Sequence, residues 1–384
     1  MFRSVVKRIV FGLLYPCRYK LSSKKKINNK KVVFVETHED YITDNFKLLY
    51  EELKTLGYEV SVCFLKVSSS SWGTIIKRSL ELIGNIGDAA YVFIDESNSL
   101  FGAFRLRKET KLIQLWHACG AFKKWGFSVA DKNFGDDLKS LRRYSGHRNY
   151  SLVTVSGKEV CWAYEEAFGL SKESGIVKPL GVSRTDMYFD KEYVNMAKQH
   201  LSKLPIDVSG KKVIAYLPTF RGSIDKAAGP YEFDIERLKK YRDKYVFVIK
   251  NHPFVKEGLV IPDEMQDFCV NADRDITIED LIIASDICIT DYSSVVFEYS
   301  LMDKPIIFYS YDLEDYEKER GFYYPYREFV PGPVCDNMKQ LVDAIDNIDN
   351  FDYERLNHFK ELYMNGCDGH ATKRILDYIN AKQQ

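Results

Sequence analysis

The chain alternates short apolar runs with amphipathic runs, and this alternation occurs twice. In the first half, runs with the pattern of β-strands occupy residues 31–37, 58–65, 91–96, 111–118 and 151–157. A segment rich in charge, with one proline and one glycine, follows at residues 202–212. Beyond it, strand-like runs occupy residues 212–220, 245–252, 286–294 and 305–310. Apolar strands separated by helices are typical of parallel sheets covered on both faces, so the sequence predicts an α/β fold with two sheets.

The predicted organisation has two main domains, because 384 residues exceed one compact core of ordinary size. We expect a basic amphipathic segment at residues 1–30, two α/β domains at residues 31–204 and 211–350, and a group of C-terminal helices at residues 351–384. Two α/β domains joined by a short linker predict a ligand-binding cleft between them.

The N-terminal segment is strongly basic: residues 1–31 contain ten Lys and Arg and no acidic residue. Its apolar positions have helical spacing, but the apolar stretch is shorter than the roughly 20 residues that span a bilayer. This pattern favours binding to an anionic membrane surface at its cytoplasmic face. A helix packed on the protein, or a disordered tail, is the open alternative. The remaining chain has more acidic than basic residues, so we expect no nucleic-acid partner.

The eight cysteines are scattered, contain no CxxC pair and several lie inside apolar runs. This distribution favours reduced thiols in the cytosol over a disulfide framework. No metal-ligand spacing occurs, so we expect neither a metal nor a cofactor.

The first candidate site motif is LWHACGAFKKWG, at residues 115–126. His117 follows an apolar strand, where an imidazole can take a proton from a hydroxyl. Gly120 allows close backbone approach to a ligand, and Lys123 and Lys124 can offset phosphate charge. A core histidine bonded to a carbonyl, with both lysines on an exposed helix face, is equally supported by these residues alone.

Two further motifs follow strands of the second half. In YLPTFRGS, Pro218 ends the strand, Thr219 offers a hydroxyl and Arg221 offers a planar fork suited to phosphate, although an ordinary strand-to-loop transition would look the same. In VIKNHPFV, a strand delivers Asn251 and His252 to a turn. The second motif is the stronger indication of a site.

The fourth motif begins at residue 289, where a strand ends at Asp291. Ser293 or Ser294 can cap the next helix, whose free amides can bind an anion. Glu298, one turn further, can reach a ribose or polyol hydroxyl. A plain N-cap beside a surface carboxylate is the alternative.

In this order and spacing the motifs resemble the CDP-glycerol glycerophosphotransferase family, the teichoic acid polymerases and primases. The segments that carry the resemblance are WHACGAFKKWG, LPTFRGS, KNHP, TDYSSVVFEYSLMDKPIIFY, YDLEDYEKERGFYYPYREFVPGP and CDGHATKRILDYI, between about residues 30 and 380. The resemblance implies a GT-B architecture of two Rossmann-like domains with a deep cleft, and a nucleotide-diphosphate donor bound mostly by the C-terminal domain. It also implies peripheral action at the cytoplasmic face of the cell membrane, on lipid-linked acceptors.

Carried over to this sequence, the family pattern assigns His117 as the general base and His252 as a second essential histidine near the donor phosphates. The predicted donor site comprises Trp116, Gly120, Arg184, Pro218, Thr219, Arg221, Asn251, Asp291, Ser293, Ser294 and Glu298.

The resemblance implies transfer of glycerol phosphate or ribitol phosphate from CDP-glycerol or CDP-ribitol to a lipid-linked glycan or polyol-phosphate acceptor, building a teichoic acid or capsular polymer and releasing CMP. Many glycerol-phosphate enzymes have a glycine and a proline soon after the WH pair, where this chain has ACGAFKKWG, which is closer to ribitol-phosphate or capsular branches. Two alternatives remain open: a GT-B glycosyltransferase that uses a nucleotide sugar, and an inactive membrane-bound scaffold.

Overall fold

Two six-stranded parallel sheets form the framework of the chain, which confirms the predicted α/β class. The computed structural model describes residues 2–132, 135, 137–222, 226–230, 232–272 and 276–381, and the side chains from residue 6 onward. The first residue of the predicted N-terminal segment and residues 382–384 of the predicted C-terminal helices lie outside this range.

The strands of the first sheet are β1 (Asn28–Glu36), β2 (Glu59–Phe64), β3 (Ala89–Ile94), β4 (Lys111–Gln114), β5 (Tyr150–Thr154) and β6 (Val177–Lys178), in the order β2-β1-β3-β4-β5-β6. Most residues of β1, β3, β4 and β5 are buried, whereas the edge strand β2 is half-buried. All six residues of β3 are buried, which explains why its sequence is continuously apolar.

The second sheet has the same character. Its strands are β7 (Lys212–Leu217), β8 (Tyr245–Ile249), β9 (Cys269–Asn271), β10 (Ile287–Thr290), β11 (Ile306–Tyr309) and β12 (Val334–Cys335), in the order β12-β11-β10-β7-β8-β9. Because β7 and β10 are neighbours, the motifs that follow them meet at one edge of the sheet.

The α-helices lie between and beyond these strands. In chain order they are α1 (Phe2–Ile9), α2 (Tyr15–Ser22), α3 (Asp44–Thr55), α4 (Trp72–Ile86), α5 (Leu138–Arg143), α6 (Cys161–Phe168), α7 (Lys191–Leu201), α8 (Ile278–Ala284), α9 (Val295–Ser300), α10 (Leu313–Arg320), α11 (Tyr326–Phe329), α12 (Met338–Asp346), α13 (Tyr353–Tyr363) and α14 (Ala371–Ala381).

The chain divides into two compact units, each drawn from separate stretches of the sequence. The first unit comprises Met1–Ala118, Trp125–Asp186 and Gly366–Gln384, and the second comprises Cys119–Lys124 and Met187–Asn365. The helix α7 packs on α8 in the second unit. The helix α14 belongs to the first unit, where the Asp186 carboxylate accepts hydrogen bonds from the backbone amides of Ala371 (3.0 Å) and Thr372 (2.7 Å) at its N-terminus.

The N-terminal segment is helical, with a π-helical stretch (Val10–Leu14) between α1 and α2. One side packs on the first unit: Tyr15 and Tyr19 are buried, and Arg18 Nε donates to the carbonyl of Leu80 at 3.2 Å. The other side leaves large apolar side chains exposed, among them Leu13 and Leu21, at 61% each. Within the described range, no helix is both long enough and apolar enough to cross a bilayer.

Candidate active site

His117 lies just beyond the carboxyl end of β4, beside two acidic residues that follow the neighbouring strand β3. Its Nδ1 is 3.2 Å from the backbone carbonyl oxygen of Asp95 and 3.1 Å from Oε1 of Glu96. A carbonyl only accepts hydrogen bonds, so Nδ1 carries the proton and Nε2 is the unprotonated nitrogen of the neutral ring. The imidazole does bond a carbonyl, as the core alternative expected, yet 41% of its side chain is exposed.

The pKa of His117 is below its usual 6.5, chiefly because the surrounding chain desolvates the imidazolium. The charge of Arg184, in the 3-10 helix Ser183–Phe189, contributes to the same direction. The ring is therefore neutral at pH 7, the state in which it accepts a proton.

Trp116, a predicted donor-site residue, packs against this histidine. Its backbone adopts a left-handed conformation with φ +59°, which is rare for a bulky residue and typical of functional sites. The amide of Trp116 donates to Oε1 of Gln114 at 2.8 Å, and its indole stacks on the imidazole with centroids 4.4 Å apart.

Two buried carboxyl groups at strand ends of the first sheet were not predicted from the sequence. Glu36, which ends β1, accepts hydrogen bonds from the amide (2.6 Å) and hydroxyl (2.9 Å) of Thr43, and Asp95 accepts one from Asn45 at 2.9 Å. Burial raises the pKa of Glu36 to about 7 and that of Asp95 to about 6. Their position at strand ends is the sequence feature that could have indicated them.

In the second unit, Arg221 joins the motifs that follow β7 and β10. Its Nη1 lies 3.0 Å from Oδ2 of Asp291, and its Nε and Nη2 hold both oxygens of Asp312 at 2.5 and 2.9 Å. Thr219 donates its amide and hydroxyl to Oδ1 of Asp291, each at 2.9 Å. The guanidinium group of Arg221, which was predicted to bind phosphate, therefore binds two carboxylates. Asp312, which follows a strand end like the others, was not predicted from the sequence.

Gly120 and Glu298 anchor the segment Cys119–Lys124 on α9. Gly120 has φ +63°, and a Cβ there would come within 2.1 Å of the Phe297 ring. The amide of Cys119 donates to Oε1 of Glu298 at 3.3 Å. Glu298 is buried, so it is not the surface carboxylate that the alternative to a site required.

The turn before α9 is capped by Ser293, whose hydroxyl accepts the amide of Val295 at 3.3 Å. Ser294 occupies the N-cap position without a capping side-chain bond.

His252 lies after β8. Its Nδ1 accepts the amide of Phe254 at 3.3 Å, so the proton of the neutral ring is on Nε2. Its ring centroid is 4.8 Å from that of Phe220, which follows β7. Burial, and then the charge of Lys123, lower the pKa of His252.

The other predicted residues of the second unit also lie at this sheet edge. Pro218 is buried directly after β7, and Asn251 is half-buried beside a pocket that Tyr216 and Gly258 also line. Among the residues that the structure describes, no three His, Cys, Asp or Glu side chains are grouped so as to hold a metal ion.

The family model described as CDP-Glycerol:Poly(glycerophosphate) glycerophosphotransferase matches residues 17–381. The chain belongs to this glycerophosphotransferase family.

Relatives of this glycerophosphotransferase family member include two proteins of Bacillus spizizenii. The teichoic acid poly(ribitol-phosphate) polymerase is 35% identical over 361 residues, 93% of this chain but only 57% of that protein. The teichoic acid ribitol-phosphate primase is 33% identical over 389 residues, 99% of this chain and 98% of that protein. The chain thus spans little more than half of the polymerase and nearly all of the primase.

A solved structure of a variant of the wall teichoic acid polymerase TagF, soaked with CDPG, resembles this family member with a TM-score of 0.74. The match has 23% identity and covers 99% of this chain and 97% of that one. This likeness confirms the GT-B type of fold.

Proposed function

We propose that this chain transfers a polyol phosphate from a CDP-polyol to a hydroxyl of a lipid-linked acceptor or growing teichoic acid or capsular polymer, and releases CMP. The observation that carries the proposal is the neutral His117 in a member of this family. Its Nδ1 donates to the Asp95 carbonyl and lies beside the Glu96 carboxylate.

In the proposed step, the acceptor hydroxyl oxygen forms a bond to the β-phosphorus as the bond from that phosphorus to the oxygen of CMP breaks. His117 Nε2 takes the hydroxyl proton, a contribution typically worth about 10²–10⁴ in rate. Glu96, 3.1 Å from Nδ1, stabilises the resulting imidazolium. CMP leaves with the electrons of the broken bond.

On the donor side, we assign Arg221 a positioning role, because its fork already binds Asp291 and Asp312. His252 lies beside this network through Phe220 and serves as a polar contact to the donor phosphates. The remaining donor-site assignments are retained as part of the proposal: Trp116, Gly120, Arg184, Pro218, Thr219, Asn251, Asp291, Ser293, Ser294 and Glu298.

Between the two donors, we favour CDP-ribitol over CDP-glycerol. Four relatives that match 90% or more of this chain at 33–37% identity are named as ribitol-phosphate enzymes, whereas two that match 94% or more at 29–31% identity are named as glycerol-phosphate enzymes. The ACGAFKKWG sequence after the WH pair points in the same direction.

We further propose that the chain acts peripherally at the cytoplasmic face of the cell membrane, bound to anionic lipid through residues 1–31. The exposed apolar side chains of the N-terminal helices, including Leu13 and Leu21, lie on the same segment as its ten basic residues. Lys7 and Arg8 also line a depression together with Lys139 and Arg143 of the α5 region, which adds positive charge beside this helix.

The test is release of CMP by the full chain from CDP-ribitol and CDP-glycerol, assayed separately with a lipid-linked acceptor. We expect release from CDP-ribitol, lost in His117→Ala and His252→Ala, with the circular dichroism spectrum of each variant unchanged. Release from CDP-glycerol alone would reverse the donor assignment. Turnover of a nucleotide sugar with no CMP would identify a glycosyltransferase, and a chain inert towards all donors would fit the scaffold.

A further inference from the structure

The segment Cys119–Lys124 contacts the rest of the second unit through backbone hydrogen bonds as well as through Gly120. The amide of Lys124 donates to the carbonyl of Gly321 at 3.1 Å, and the amide of Tyr323 donates to the carbonyl of Phe122 at 3.0 Å. An antiparallel bridge pairs Lys123 with Phe322. In extended chain, successive side chains point in opposite directions, so the two adjacent lysines occupy different surroundings.

Lys123 is half-buried in a largely aromatic environment. Its Nζ lies 3.5 Å from the hydroxyl of Tyr316 and 6.0 Å from the centroid of that ring. Burial, opposed by the charge of Asp291, lowers the pKa of Lys123 to about 8, and the charges of Arg320 and Arg221 act in the same direction as burial.

The nearest acidic group is already engaged. The Asp291 carboxylate is bound by Arg221 at 3.0 Å and by Thr219, so its oxygens are engaged by groups other than Lys123. No carboxylate in the described part of the chain forms an ion pair with Lys123, whose one polar side-chain contact there is Tyr316. A half-buried ammonium group with this surrounding is unfavourable unless an anion approaches it.

Other cationic or protonatable groups share this region of the second unit. The charge of Lys123 is near enough to His252 to lower its pKa. The ring of Phe220 lies 4.8 Å from the His252 ring and 5.8 Å from the guanidinium carbon of Arg320. Two cationic side chains and a protonatable imidazole in one region are typical of a site that binds a multiply charged anion.

We propose that Lys123, and not the adjacent Lys124, binds the diphosphate of the nucleotide donor. This inference rests on the proposed function and adds a residue to its donor site. The amine of Lys124 lies instead 6.0 Å from the centroid of Tyr323. A diphosphate supplies the charge that Lys123 lacks among its neighbours, and it reduces the repulsion between Lys123 and Arg320.

The experiment measures binding of CDP, and separately of cytidine, to the full chain by isothermal titration calorimetry. The proteins are the unmodified chain, Lys123→Met, Lys123→Arg and the matched control Lys124→Met. We expect Lys123→Met to weaken CDP binding by roughly tenfold or more, the scale of one charge-assisted contact, and to leave cytidine binding unchanged. Lys123→Arg should recover much of the CDP affinity, and Lys124→Met should bind as the unmodified chain does.

Equal CDP affinity in Lys123→Met and the unmodified chain would overturn the inference and leave the proposed function intact. An equal loss in Lys124→Met would overturn the distinction between the lysines. If Lys123→Met does not fold, Lys123→Gln replaces it. The inference is then also overturned if Lys123→Arg binds CDP no better than Lys123→Gln does. An unmodified chain that neither binds CDP nor releases CMP from either CDP-polyol would instead contradict the proposed function.

Discussion

Arg221 binds Asp291 through Nη1, at 3.0 Å from Oδ2, while the rest of its guanidinium group clamps Asp312. The three side chains are buried or nearly so, at 12%, 1% and 13% exposure. One cation therefore bridges two carboxylates at the ends of β7 and β10, and it connects the loops that follow three strands of the second sheet.

We expect Arg221→Met to reduce the free energy of unfolding by about 3–5 kcal/mol, because it leaves two buried carboxylates without their partner. Arg221→Lys should recover only part of this, since an ammonium group cannot bind both carboxylates as a planar fork does. Urea denaturation monitored by circular dichroism measures the effect. Lys318→Met, which removes exposed ion pairs on α10, is the control and should change nothing measurable. A loss for Arg221→Met as small as that control would contradict the assigned role.

Glu96→Gln tests the contact with His117. Removing the negative charge 3.1 Å from Nδ1 destabilises the imidazolium, so the pKa of His117 should fall further. Because the base is active when neutral, the acidic limb of the kcat/KM profile should move to lower pH, with a plateau roughly tenfold lower than that of the unmodified chain. CMP release measured between pH 4.5 and 8 reports both effects. A lower plateau with an unmoved limb would indicate a structural role only.

The buried Glu36 predicts how stability depends on pH. Its folded pKa, about 7, is above the ordinary value of 4.5, so the folded state binds the extra proton between these values. Stability should therefore fall as pH rises from about 4.5 to 7, by at most about 1.4 kcal/mol per pH unit for this group. Glu36→Gln keeps an oxygen that can accept from Thr43 and should flatten this dependence, measured by urea denaturation across the window. An unchanged slope would show that Glu36 does not titrate there.

Gly120→Ala should destabilise the chain more than Gly57→Ala. Both glycines have positive φ, at +63° and +74°, so both substitutions incur the left-handed penalty of about 1–2 kcal/mol. Only the Cβ at residue 120 meets another side chain, Phe297, at 2.1 Å, which adds about 1–3 kcal/mol of overpacking. The free energy of unfolding is measured by thermal and urea denaturation. Equal losses of this free energy in the two variants would show that α9 moves to accommodate the added methyl group.

Leu13→Glu and Leu21→Glu together should weaken binding to vesicles that contain phosphatidylglycerol. Both side chains are 61% exposed, so the free energy of unfolding should be unchanged. Co-sedimentation with vesicles measures the effect, and vesicles of phosphatidylcholine alone provide the low-charge reference. Binding that survives both substitutions would place the membrane contact elsewhere.

Much of the framework was determined by local pattern. The continuous apolar run of β3 predicted a strand covered on both faces, and the polar residues directly after β4, β7, β8 and β10 predicted a functional edge. These features depend on residues close together in the chain, so the sequence displays them directly. The resemblance to the family was carried by the same segments.

Relations between residues far apart in the chain became visible only in the three-dimensional structure. It showed that Arg221 is occupied by Asp291 and Asp312, although its local sequence suits a phosphate ligand equally well. It also placed Glu96 beside His117, and it gave Lys123 and Lys124 different surroundings. Whether a charged side chain is free to bind a ligand depends on the residues that pack around it. Those residues come from other strands, and local sequence periodicity does not show which strands are neighbours or in what register they pair.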